Sequence, residues 1–234
     1  MHKIVLTLTL AMAVAGCEVA TTPSAPLPAP TGNVPPRLDS NTAVQNFVTV
    51  VRDVEPVAEQ VCRQQTQGVN CDYRIVVDDR AGLPPNAFQT RDESGQPVIG
   101  FTLSLIRDAR NRDELAFILG HEAAHHIEGH IDRGQQAAVT GAVLAGALAS
   151  LGGADETVVR SVQDIGAQVG QRRFAKNFEL EADALGTRIA IRAGYDPVRG
   201  AEYFMRIPDP GNRFLGSHPP NADRIDTVRR AAGR

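Results

Sequence analysis

The sequence predicts an α+β fold, mainly helical, with a small β-sheet beside one central helix. Strand-forming runs are confined to residues 73–103, while apolar residues at helical spacing dominate on both sides. The length also fits: of 234 residues, 39–234 make one domain once a leader (1–16) and a proline-rich linker (17–38) are set aside. Residues 40–66 read as helix, with a break expected at Pro56, where a second segment can start. Tyr73–Asp78, Asn86–Arg91 and Pro97–Leu103 read as strands, with Ser94-Gly95 turning between the last two. Val98–Leu103 is expected at the sheet edge beside a cleft, where an extended peptide could add by main-chain hydrogen bonds.

The central helix announces its own start. Asn111 and Asp113 are N-cap candidates, and Glu114, three residues after Asn111, resembles a capping box. Leu115, Ile118 and Leu119 then form an apolar stripe, so this helix is expected to be buried. Ala137–Leu151 is uncharged and apolar but shorter than the roughly 20 residues that span a bilayer. It is expected to be a buried or partly mobile helix; a membrane-touching or cleft-covering insertion is the alternative. Gly152-Gly153 turns the chain, Asp155 or Glu156 restarts a helix that runs through residues 179–183, and Gly194 caps it. A short helix after Pro197 and a last one from about Asn221 complete the domain.

The stripe runs into His121-Glu122-Ala123-Ala124-His125, an HExxH pattern. On a helix, residues four apart share a face, so His121 and His125 can reach one ion, expected to be a single Zn2+. Glu122 sits beside that ion, where a carboxylate can take a proton from a metal-bound water. Catalytic zinc usually keeps three protein ligands. Glu179 and Asp183 lie four apart on a second helix, with Glu181 pointing about 160° away. Spacing alone leaves two readings: a third ligand (Glu179) with a supporting carboxylate (Asp183), or an ordinary solvated acidic face. His126 and His130 fall on another face from His121 and His125 and read as packing or hydrogen-bonding residues.

The pair His121-Glu122-Ala123-Ala124-His125 and Glu179-Leu180-Glu181-Ala182-Asp183 resembles the HExxH plus ExxAD motifs of the HtpX- and BepA-like gluzincin zinc metallopeptidases. His218-Pro219-Pro220 with Arg224, and Gly194-Tyr195-Asp196-Pro197, extend the likeness over roughly residues 40–230. The resemblance implies a zincin-like fold, Glu179 as the third ligand, and Asp183 orienting a ligand imidazole. It also implies His218 on the open side of the zinc, as oxyanion stabiliser or fourth ligand, and Arg224 holding substrate or intermediate. On residues alone, His218 is a loop histidine and Arg224 a surface helix arginine.

Lys3, the apolar run Ile4–Val14 and Val14-Ala15-Gly16-Cys17 have the layout of a secretory signal, and Cys17 after Ala-Gly resembles a bacterial lipobox. Cys17 is expected to carry lipid. A plain signal peptide is the alternative. By analogy, Glu18 lacks the aspartate that retains lipoproteins at the inner membrane, so an outer-membrane anchor facing the periplasm is expected. Residues 20–37 are proline-rich and can hold the domain up to roughly 50 Å from its anchor. Cys62 and Cys71 are either a disulfide or two free thiols. A formal charge of −3 and the lack of a basic stripe exclude a dedicated nucleic-acid binder. The expected activity is zinc-dependent endopeptidase action on misfolded or unassembled envelope polypeptides, with the outer-membrane assembly machinery as a further partner. The alternatives are a periplasmic chaperone or assembly factor that keeps zinc as scaffold, and a cell-wall peptide hydrolase.

Overall fold

The computed structural model describes residues 36–211 and 218–234; the expected signal segment, Cys17 and most of the linker lie outside the described residues. Helix α1 (Ser40–Gln65) starts at Asp39, whose carboxylate accepts the N–H groups of Asn41 and Thr42. It does not break at Pro56. Ala43, Phe47, Val50, Val54, Ala58 and Val61 form one buried stripe on both sides of the exposed proline. Burying that stripe outweighs the roughly 3 kcal/mol that an interior proline costs a helix. A disulfide joins Cys62 near the end of α1 to Cys71, with Cα atoms 5.8 Å apart.

Strands β1 (Arg74–Asp78), β2 (Ala87–Arg91) and β3 (Pro97–Thr102) form a sheet in the order β1-β3-β2. β3 pairs parallel to β1 and antiparallel to β2, so it is the central strand and not the expected edge. Its residues are all buried, as a continuous run such as Val98-Ile99-Gly100-Phe101 allows and an edge would not. Leu103 already belongs to α2 (Leu103–Asp108). The edge strand beside the central helix α3 (Arg112–Ile127) is β2.

Helix α3 is capped as its sequence demands. Asn111 Oδ1 accepts the Glu114 N–H at 3.0 Å, and Glu114, itself buried, accepts the Arg110 N–H and two bonds of 2.7 Å from Arg206. Leu115 and Leu119 are both buried in the core between α1, the sheet and α5 (Glu156–Arg192), and each contributes about 1.5–3 kcal/mol. α5 runs unbroken from Asp155, which caps it, to Gly194, whose φ of 86° allows the turn away. Where α3 crosses α5, Gly120 and Gly186 meet: a Cβ on Gly186 would lie 2.7 Å from the His121 nitrogen.

Helix α4 (His130–Leu151) departs from expectation. It is not buried; only His130, Gly134 and Gly146 are, and its large apolar side chains face outward. It packs mainly on the first half of α5 as an antiparallel hairpin. The short α6 (Pro197–Gly200), a 3-10 turn (Ala201–Met205) and α7 (Asn221–Ala231) close the domain over the end of α3 away from the hairpin.

Candidate active site

α3 presents His121 and His125 on one face, and α5 brings Glu179 against them. The His121 and His125 Nε2 atoms are 3.0 Å apart, and Glu179 oxygens lie 3.7 Å and 3.5 Å from them. These are the only such group of three or more donors among the described residues. Zinc bonds of about 2.0–2.1 Å at tetrahedral angles require donors about 3.3 Å apart, so the triangle fits such an ion. His125 and Glu179 are also in ligating form. Burial, then the His121 charge, lowers the His125 pKa to about 3 and keeps it neutral. Burial would raise Glu179, but the His218 hydrogen bond and the His121 and Arg224 charges outweigh it and hold the carboxyl well below the usual range.

Each imidazole has its own support. Asp183, fully buried, lies 2.9 Å from His121 Nδ1, which turns Nε2 toward the triangle. Burial disfavours the protonated imidazole, but the Asp183 bond prevails and raises His121. Arg224, on α7, grips both Asp183 oxygens at 2.8 Å and 2.7 Å, reaches Glu179 at 3.4 Å, and stacks 4.0 Å over Phe204. The guanidinium expected to hold substrate is thus engaged with the carboxylates behind the donor triangle.

His125 Nδ1 shares a 2.8 Å hydrogen bond with His130 Nδ1, and His130 Nε2 meets Glu181, which pairs with Arg133 at 2.6 Å. Spacing placed His130 on another face because it assumed one continuous helix. Gly129, at φ 65°, ends α3 and starts α4, and this turn swings His130 back onto His125. A glycine just past a periodic helix is the signal that could have revealed it. His126 does face away: its ring bonds the Asn70 carbonyl. Glu181, set aside as pointing away from the ion, serves this second arm.

Glu122 is buried, next to His121 in the chain and three residues before His125. Burial, partly offset by His121, raises its carboxyl to about 7, where it can both accept and release a proton. It lines two openings. A cleft of about 760 Å³ reaches from Pro84 and Ala87 across the triangle to His218, and a smaller one of about 360 Å³ lies between Gln89 of β2 and Gln135 of α4. His218 stands half exposed at the rim, its Nδ1 3.1 Å from Glu179.

Residues 46–232 match the model of peptidase family M48. The chain belongs to that family. The metallopeptidase class expected from the two motifs stands on this match, as does the zincin-like fold. Among curated relatives, the chain is similar to a putative beta-barrel assembly-enhancing protease of Vibrio cholerae, at 29% identity over 55% of this chain and 29% of that protein. It is similar to metalloprotease LoiP of Escherichia coli, at 26% identity over 53% of this chain and 51% of that protein. A protease HtpX homolog of Thermococcus kodakarensis matches at 29% identity over 68% of this chain and 73% of that protein. The chain therefore spans under a third of the assembly-enhancing protease and about half of LoiP.

Proposed function

We propose that this chain is a zinc-dependent endopeptidase of the bacterial cell envelope acting on misfolded or unassembled envelope proteins. The observation that carries the reading is the donor triangle of His121, His125 and Glu179 with the buried Glu122 beside it, at the meeting of two clefts. Zinc held there supplies Lewis acidity and acidified water. Glu122 takes the proton of the attacking water and delivers it to the leaving amine. His218, at the rim, donates a hydrogen bond toward the developing oxyanion. Asp183 and Arg224 hold His121 and Glu179 in place, and β2 offers its free edge to an extended peptide.

The envelope assignment rests on the assembly-enhancing proteases among the relatives and on the lipobox-like Cys17. On this reading residues 1–16 are a leader, 17–38 a lipidated linker to the outer membrane, and 39–234 the catalytic domain. Glu122→Gln should leave metal content near one zinc per chain and lower cleavage of an unfolded polypeptide by roughly 100- to 10,000-fold. Unchanged turnover would remove Glu122 from its role. A variant that stays inactive yet rescues envelope-stress sensitivity would favour the chaperone reading.

A further inference from the structure

The α4–α5 hairpin stands clear of the core, and its packing is inverted relative to a hairpin in water. The middle of its seam is made of the smallest residues, with Gln163 against Gly146 nearer the turn. A Cβ on Gly141 would meet the Gly166 carbonyl at 2.1 Å, and one on Gly170 the Ala137 carbonyl at 2.1 Å, so the two backbones touch. The bulky residues are outside: Val139, Val143, Leu144, Leu148 and Leu151 are 61 to 86% exposed. Helices in water bury large apolar residues against each other, whereas small residues at the contact and branched ones outward is how helices pair in lipid.

On α5, Val158, Ile165 and Val169 form a second exposed stripe. Counting 100° per residue from the contact at Gly141 and Gly166 puts this stripe on the same side as Leu144 and Leu148. Charge is arranged to match. α4 has no ionisable side chain from Gly134 to Leu151, while the α5 stripe continues into exposed Arg172, with Arg173 beside it. The acids at the far end are engaged: Asp155 caps α5 and Glu156 pairs with Arg160.

We propose that this hairpin docks on an anionic phospholipid bilayer, with Leu144, Leu148, Ile165 and Val169 among the acyl chains and Arg172 and Arg173 at the headgroups. It lies along the surface and does not cross it. No helix among the described residues is long and apolar enough to span, and Asp164 and Gln168 keep the outer side of α5 polar. Because α4 follows His125 within a few residues and α5 carries Glu179, docking fixes the cleft at a set height over the lipid, whatever the N-terminus does.

The chain contains no tryptophan, so Leu148→Trp is a single reporter. In the full chain carrying Cys17→Ser, vesicles of phosphatidylethanolamine and phosphatidylglycerol should shift its emission to the blue, and brominated acyl chains should quench it. Partitioning should be about tenfold weaker on neutral phosphatidylcholine. Adding Leu144→Glu and Ile165→Glu should abolish the quenching while leaving the thermal melt unchanged, since both side chains are exposed. Emission that stays at its aqueous position with vesicles overturns the proposal. So does a blue shift without lipid that tracks a doubled mass in light scattering, because a second copy then covers this face.

Discussion

His121 and His125 are one helical turn apart, yet they are held by opposite means. Behind His121 stand Asp183 and Arg224, both buried, joined by two short bonds and contributed by α5 and α7. Behind His125 stands buried His130, backed by a Glu181–Arg133 pair that is about two-fifths exposed. The first support is buried, so solvent cannot take over from either partner, and Arg224 has beyond Asp183 only its longer contact with Glu179. The second ends in solvent, where water and salt can replace it. Rigidity at this site should therefore come from the His121 side, and tolerance from the His125 side.

The comparison breaks first at Asp183. Asp183→Ala leaves a buried guanidinium with only its 3.4 Å contact to Glu179 and should cost about 3–5 kcal/mol in denaturant unfolding, with loss of metal from the folded fraction. A cost below 1 kcal/mol would mean that Arg224 finds water or another partner. The same residue predicts a pH effect. Burial raises the Asp183 carboxyl, but the bonds and charge of Arg224 outweigh it and hold the group below its ordinary range. A folded pKa below the unfolded value of about 3.9 means full stabilisation above roughly pH 4, lost as pH falls through the folded value. Metal-stripped Asp183→Asn protein should melt with a flatter acid limb than the parent.

His130→Ala should weaken metal affinity about 10- to 100-fold in chelator competition, with a much smaller change in unfolding. An unchanged affinity would show that His125 needs no orientation by its partner. Glu181→Gln should have the smallest effect, under about 1 kcal/mol in stability and erased at high salt. An effect as large as that of Asp183→Ala would dissolve the distinction between the two arms.

The local parts of this molecule were legible in the sequence. Asn111, Glu114 and the Leu115–Leu119 stripe act within a few residues, so the cap, burial and direction of α3 follow from spacing. Glu179 did not follow from spacing, because an acidic face at i and i+4 looks the same in solvent or over an ion; only the motif resemblance separated the two. Strand order failed for a related reason: the parallel β1–β3 pairing is settled by distant packing, which also carried α1 through Pro56. The exposure of α4 is not legible either, because an apolar run specifies a preference for leaving water without naming what it meets.

The glycine pair at the α3–α5 crossing works as a gauge block with nothing in it. Gly120 and Gly186 let main chain rest on main chain beside His121, so the gap between the donor-bearing helices is set by atomic radii and not by adjustable side chains. A single methyl inserted there would wedge the helices apart at the point where the histidines and the carboxylate must close on one another. Bond lengths of about 2 Å leave little slack for such a spacer. The calibration of the site thus resides in two residues that bear no functional group at all.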